Sequence, residues 1–257
     1  MNGAFEVGAV ALRAQQKALD TIANNIANVN TPTFKRSDVR FSEVLANQGT
    51  PTTQVDVLAS VDGPLAGGVR MSPREMLLEQ GEIRLTGNKL DLAIDGPGLI
   101  ELMGPDGQSL LWRGGTLQVN ADGLLATDTG FALRAAITIP DDATNLQITP
   151  EGMVRADVAG DGTIELGQLV LVRVDNETGI DRVDNGLFVA GPDVRLTEAR
   201  AGEDGVGLFA QASIENSNVE LTTEMVDLLM VQRSYAASAQ IIQAADQISG
   251  ILNNLKR

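Results

Sequence analysis

Two helical apolar stripes, one near each end of the chain, limit its fold more than any other feature, because the stretch between them follows a different period. Between positions 5 and 29, apolar or small residues recur at Phe5, Gly8, Leu12, Leu19, Ile22, Ile26 and Val29, and Gln15 completes an unbroken alternation of three- and four-residue steps. That spacing keeps the residues on one helix face as a heptad-like seam. Thr31-Pro32 ends the helix, since proline lacks a backbone donor and disfavours helical geometry in the residue before it. A second stripe over 219–255 runs through Leu221, Met225, Leu228, Val231, Tyr235, Ile242, Ala245, Ile248, Leu252 and Leu255, thinned midway at Ser238 and Ala239. No Pro or Gly interrupts it before Gly250. Glu224 and Asp227 lie near its start, where negative charge favours the helix dipole.

Between the stripes the apolar runs shorten. Leu90-Asp91-Leu92-Ala93-Ile94, Gly98-Leu99-Ile100-Glu101-Leu102, Ser109-Leu110-Leu111-Trp112, Leu117-Gln118-Val119, Ala135-Ala136-Ile137-Thr138-Ile139 and Gln168-Leu169-Val170-Leu171-Val172-Arg173-Val174 predict strands. Asp95-Gly96, Asp106-Gly107, Asp122-Gly123, Thr129-Gly130, Glu151-Gly152, Asp161-Gly162 and Asn185-Gly186 separate them with tight-turn chemistry, and most of the 27 Gly fall here. An all-β region over 76–212 follows. Positions 34–75 connect it to the first helix without a sustained period. Thr50-Pro51, Gly63-Pro64 and Gly67-Gly68 mark extended backbone there that packs along other elements or orders on a partner.

Composition removes most catalytic chemistry. With no Cys and no His, the chain has no thiolate or imidazole metal site, no Ser-His-Asp or Cys-His pair and no histidine switch. Its 34 acidic residues against 19 basic ones, a net charge of -15, oppose nonspecific contact with nucleic acid or an anionic membrane. No apolar run is long enough to span a bilayer, and Met1-Asn2-Gly3-Ala4-Phe5 lacks the plan of a cleaved secretory signal. Gly-Lys-Ser and Gly-Lys-Thr phosphate loops are absent, and Gly160-Asp161-Gly162 supplies too few oxygens for a calcium loop. One enzyme class survives, a carboxylate-dependent polysaccharide hydrolase. Several of its acidic residues, however, sit in Asp-Gly turns, and the single Trp, Trp112, is a poor substitute for the aromatic platforms of a glycan groove. No catalytic residue, cofactor or metal ligand is assigned.

An apolar stripe on a long helix must be covered. Pairing of the two terminal helices within one chain is one cover; pairing plus contact with neighbouring copies is the other. Gly8, Ala9, Ala11, Ala14, Ala18, Ala23 and Ala27 on the first helix, with Ala236, Ala237, Ala239, Ala244 and Ala245 on the second, permit close approach on more than one face. Asn24, Asn25, Asn28 and Asn30, with Gln232, Gln240, Gln243 and Gln247, add amide donors and acceptors.

Four stretches in order carry a resemblance. They are Ala23-Asn24-Asn25-Ile26-Ala27-Asn28-Val29-Asn30-Thr31-Pro32-Thr33-Phe34-Lys35; Gln80-Gly81 with Thr86-Gly87-Asn88 and Leu90 to Gly96; Arg113-Gly114-Gly115 with Val119-Asn120-Ala121-Asp122-Gly123; and Ser217-Asn218-Val219-Glu220 with Glu224-Met225-Val226 and Gln232-Arg233-Ser234-Tyr235. Together they resemble the bacterial flagellar rod and hook proteins over nearly the whole chain. Length, Ala136-Ile137-Thr138-Ile139-Pro140 and the compact middle are most similar to the distal-rod branch, with the proximal-rod branch second. The chain departs from the family at Thr33, where Gly is common, at Leu99-Ile100, where two Phe are common, and at Trp112-Arg113-Gly114-Gly115, where Tyr-Thr-Arg-x-Gly is usual. Thr33 matters most, because Gly accepts a positive φ readily and Thr does not.

The resemblance implies an α+β fold in which paired N- and C-terminal α-helices form a coiled-coil-like inner domain with an inserted all-β outer domain. Its divisions fall at 1–33, 34–75, 76–212 and 213–257. It implies a structural subunit of the basal-body rod, not an enzyme, that self-assembles through its terminal helices into a helical tube transmitting torque around the export channel. The assembly residues it implies are Leu12, Leu19, Ile22, Asn25, Ile26, Val29, Leu221, Met225, Leu228, Tyr235, Ile242 and Leu252, with Pro32 and Phe34 in the turn and linker. Phe34, Phe41, Val44 and Leu45 are expected to become buried only on assembly. The partners are copies of the chain, other rod subunits, the hook and the flagellar export apparatus. Nucleic acid, a cofactor and a membrane span are not among them. The expected location is the periplasm-spanning rod of the basal body, reached by export without a cleaved signal peptide.

Overall fold

The structure, a computed structural model, describes residues 2–44 and 68–255, apart from 78, 106–107, 161, 176–178, 184–185 and 193. An N-terminal and a C-terminal helix with many strands in several sheets make the chain α+β. It divides into one unit of residues 1–24, 38–73 and 221–257 and another of 25–37 and 74–220.

The first unit holds most of α1 (Asn2–Ala27) and all of α2 (Leu221–Leu255), together with a two-stranded sheet of β1 (Ser37–Val44) and β2 (Gly68–Glu75). The 34–75 connection, which shows no period in sequence, thus begins and ends in a strand ladder. Leu45 lies outside the described residues, as do the side chains of Phe41 and Val44. Beyond α1 the backbone tightens: the amides of Asn28 and Thr31 donate to the carbonyls of Asn25 and Asn28, both at 3.1 Å. These three-residue spacings use up the carbonyls that a helix end leaves open, just before Pro32 removes the next donor.

α1 and α2 meet at two points that fix their sense. Gln15 Nε2 donates to Ser234 Oγ at 2.8 Å and Ser238 Oγ at 3.1 Å. Gly8 lies against Ile242, whose Cγ1 would be 2.8 Å from a Cβ at that position. Advancing along α1 means retreating along α2, so the helices are antiparallel. The polar member of the first seam thereby meets the polar gap of the second.

The second unit contains β3 (Ile83–Leu85), β4 (Asp91–Asp95), β5 (Ile100–Met103), β6 (Ser109–Trp112), β7 (Gly115–Val119), β8 (Leu125–Thr127), β9 (Ala143–Ile148), β10 (Met153–Val158), β11 (Gly162–Gln168), β12 (Leu171–Val174), β13 (Ile180–Arg182), β14 (Leu187–Ala190), β15 (Leu196–Ala199), β16 (Leu208–Gln211) and β17 (Ser213–Glu215). The strand orders are β13-β14-β6-β5, β16-β4-β7-β8, β11-β10-β9, β12-β15 and β17-β3. Alternation along a strand sends successive side chains to opposite faces, which gives the β13-β14-β6-β5 sheet two apolar sides. Ile100, Leu102, Leu110, Trp112 and Leu187 enter the larger core; Leu99, Leu111, Ile180 and Phe188 enter the smaller one. Trp112 is a packed strand residue and offers no ring to a glycan.

Two strand expectations are corrected. The 135–139 run is not a strand: the Ala136 amide closes a turn on the Leu133 carbonyl, Ala136 sits at φ 46° and only Thr138 makes an isolated bridge. Ile137 is nevertheless buried in the core, which accounts for the apolar pattern. The 168–174 run breaks between β11 and β12, where the Leu169 amide turns to the Gly152 carbonyl.

Candidate functional site

The residues after α1, those after β2 and those before α2 converge within the strand-rich unit. Their meeting point is Glu215 at the end of β17, with no solvent exposure. Its Oε1 accepts from Lys35 Nζ at 2.6 Å and from the Gly81 amide at 2.8 Å, and its Oε2 accepts from Arg113 Nε at 2.8 Å. Its backbone carbonyl accepts from the Thr33 amide at 2.8 Å. Lys35 and Arg113 are each 1% exposed. Lys35 Nζ also donates to the Glu79 carbonyl at 2.6 Å, and the Arg113 guanidinium donates to the carbonyls of Gly96 and Gly98, both at 2.6 Å. Buried charges of this kind persist only when paired and hydrogen-bonded throughout. Burial pushes the Lys35 ammonium below its ordinary value of 10.5, and the Arg113 charge adds to the effect against the opposing pull of Glu215. Gly81 is required by close approach, since a Cβ there would lie 2.0 Å from the Asn216 carbonyl oxygen.

Amide side chains complete the junction. Asn25 pairs with the Ser37 backbone through Nδ2 to the carbonyl at 2.9 Å and Oδ1 from the amide at 3.0 Å, closing the 25–37 loop. Asn218 Oδ1 accepts from the Arg36 amide at 2.6 Å, and its Nδ2 donates to the Glu79 carbonyl at 3.0 Å. Gln80 accepts from the Gly96 amide at 2.9 Å, fixing the Asp95-Gly96 turn. Phe34 lies beneath the Arg182 guanidinium at 4.1 Å, and Arg182 also donates to the Lys35 carbonyl at 2.9 Å. Phe34 is therefore buried within its own chain, correcting the expectation that assembly buries it. Pro32 is exposed, and Thr33 takes φ 60°, the left-handed conformation that glycine would accept without strain.

The helices carry the other expected residues. On α1, Ile22 and Asn25 are buried, whereas Leu12, Leu19 and Ile26 are half-buried, as is Val29 in the turn just beyond the helix. The most buried positions are Ala18, Ile22 and Asn25; Ile22 belongs to the seam, whereas Ala18 and Asn25 each lie one residue before the seam positions Leu19 and Ile26. On α2, Leu228 and Ile242 are half-buried, together with Val231, Ser238 and Ala245. Leu221, Met225 and Tyr235 are exposed; the Leu252 side chain lies outside the described residues. A second face of α2 bears Val226, Met230, Ile241, Ile248 and Ile251, with exposures of 51, 58, 70, 58 and 60%. Ala237 and Ala244 fill the gaps in that line.

Sequence reasoning reached Lys35, Gln80, Arg113 and Asn218 as motif members and missed Glu215. The available signal was a lone carboxylate in the short Ser213-Ile214-Glu215 strand just ahead of the last motif. Among the described residues no cluster of metal-ligating side chains occurs, and no helix is long and apolar enough to cross a membrane.

Three family models match in chain order: "Flagella basal body rod protein" over residues 5–35, "Flagellar hook protein FlgE/F/G D1 domain" over 93–156 and "Flagellar basal body rod FlgEFG protein C-terminal" over 210–255. Each matched stretch supplies one member of the buried cluster, Lys35, Arg113 and Glu215 respectively. The flagellar basal-body rod protein FlgG of Agrobacterium fabrum is 35% identical over 98% of this chain and 99% of its own length. That of Borreliella burgdorferi is 32% identical over 100% of both. The flagellar hook-basal body complex protein FlhP of Bacillus subtilis is 29% identical over 95% of this chain and 96% of its own.

Proposed function

Because the chain belongs to the flagellar basal-body rod protein family, whose members are structural and not enzymatic, we propose that it is a distal-rod subunit that builds a tube by stacking its terminal helices. In this reading α1 and α2 pair as the coiled-coil-like inner domain of the tube. The tube surrounds the export channel and transmits torque through the periplasm. Its partners are copies of the chain, neighbouring rod and hook subunits and the export apparatus, which it passes without losing a signal peptide.

The supporting observation is the second apolar face of α2. Val226, Met230, Ala237, Ile241 and Ile248 follow steps of four and seven residues along a face that α1 does not bury. Apolar surface of this regularity fits an interface, and heterologous contacts that do not close generate open helical assemblies. Leu12, Leu19 and Ile26, half-buried, and Leu221 and Met225, exposed, extend the surface offered to neighbouring copies.

Electron microscopy of the purified chain at rising concentration tests the reading. Filaments are expected from the full chain and not from one lacking 1–30 and 220–257. A Met230→Glu, Ile241→Glu variant is expected to keep its helicity and lose filaments. Filaments that survive the truncation, or a monomer that hydrolyses polysaccharide equally with or without these helices, overturn it.

A further inference from the structure

We propose that the Lys35, Glu215 and Arg113 cluster is a mechanical clamp that fastens together every described passage of chain between the two units, so that force arriving along one helix is shared by all of them. This deepens the structural-subunit reading and rests on it. The passages are residues 25–37, the stretch that begins at Arg74 and the stretch that ends at Glu220. Around Glu215 and Asn218 they are cross-tied. Thr33, Lys35 and Arg36 bond to the 215–218 stretch, Gly81 bonds to Glu215, and Lys35 and Asn218 both reach the Glu79 carbonyl. The Met76 amide donates to the Arg36 carbonyl at 2.9 Å. Arg113 then anchors the whole knot to the Gly96 and Gly98 carbonyls of the neighbouring turn.

The chemistry suits resistance to pulling better than it suits equilibrium stability. A buried ion cluster is often no more stabilising than well-packed apolar residues of the same volume, so stability alone gives weak reason for it. Losing a single partner is another matter. Water does not reach Glu215, Lys35 or Arg113, and breaking one contact exposes a bare charge to a low-dielectric interior. Each contact is therefore held by the others, and the passages release together. Exposed ion pairs, which water replaces one at a time, lack this property.

Optical-tweezer pulling of the full-length chain through handles at its first and last residues tests the clamp. The wild type is expected to release the strand-rich unit in one event. Glu215→Gln is expected to release it in at least two events at lower force. A Lys35→Met, Arg113→Met, Glu215→Leu variant, with its melting temperature held near wild type, is expected to behave like Glu215→Gln under load. One event at wild-type force in that triple variant overturns the proposal. Should the triple variant not fold, amide exchange in Glu215→Gln decides. Thr33 exchange is expected to rise roughly 100-fold or more, and by a larger factor than exchange at Leu92 and Ala93 in β4; a rise at Thr33 no greater than that in β4 defeats the clamp. These measurements use the free chain, so they stand apart from filament formation. Filaments lost in the helix variants with a wild-type pulling trace count against assembly alone.

Discussion

Thr33 is a place where a single backbone angle reverses the usual ranking of two substitutions. It sits at φ 60° with its side chain 8% exposed, Oγ1 donating to the Pro32 carbonyl at 2.7 Å and its amide tied to Glu215. A non-glycine residue in this conformation bears about 1–2 kcal/mol of strain. Thr33→Ala and Thr33→Gly both remove the hydroxyl and methyl group, but only glycine removes the strain. Against that, glycine enlarges the unfolded ensemble by about 0.4–1 kcal/mol relative to alanine. The Gly variant is therefore expected to be the more stable by about 1 kcal/mol. The same pair of residues at Ala14, inside α1, should order the other way by about 1 kcal/mol. Trp112, the single Trp, is buried in the unit that contains Thr33, so its fluorescence follows the relevant transition. In urea the Gly–Ala gap corresponds to about 0.3–1 M in midpoint at constant slope. An Ala variant as stable as the Gly variant, with equal slopes, refutes the strain argument.

Three further predictions concern the junction and the helices. Glu215→Gln strands two buried cations and is expected to lower stability by about 3–5 kcal/mol, roughly 6–20 °C in melting temperature; calorimetry showing a drop within 2 °C contradicts the burial argument. The Lys35 pKa is depressed by burial, so below its folded value both states hold the proton and the penalty is complete. As pH rises from there toward 10.5, the unfolded state holds the proton more and stability rises. Relative to Lys35→Met, the wild type should thus gain in urea midpoint through that alkaline window, and a flat or falling difference negates the assignment. Gly8→Ala places a Cβ 2.8 Å from Ile242 Cγ1 and is expected to cost about 1–3 kcal/mol in overpacking of the helix pair, of which helix propensity returns about 1 kcal/mol; hydrogen exchange should quicken over Ser234 to Ile242 and stay unchanged in β4.

The ends of the chain are legible in sequence because three- and four-residue steps survive in its hydropathy, and the meeting of Gln15 with Ser238 is written as two matching irregularities. Their rotation is less legible. Hydropathy ranks Leu19 above Ala18, yet Ala18 is the buried one, since a small side chain is what lets a neighbour come near. The Asp-Gly and Thr-Gly turns mark the strand-rich unit well, but the 135–139 run shows that an apolar stretch can bury one side chain, Ile137, while its backbone turns at Ala136. Lys35 and Arg113 read as motif members whose partner is invisible, because nothing local distinguishes Glu215 from a solvated carboxylate. Its meaning lies in a contact 180 positions away. The Phe34 expectation fails for a related reason: the cation that covers it, Arg182, belongs to a three-residue strand too short to announce itself.

That 180-residue separation also sets a clock. A ribosome working at 5–20 residues per second delivers Glu215 roughly 10–40 s after Lys35 has emerged. Throughout that interval Lys35 has the Glu79 carbonyl but no carboxylate partner, and the amide of Thr33 has no native acceptor; closing so long a loop is entropically unfavourable until the late contacts repay it. The segment around Thr33 and Lys35 is therefore tied to its last partners only late in synthesis, and the last sixth of the sequence decides when.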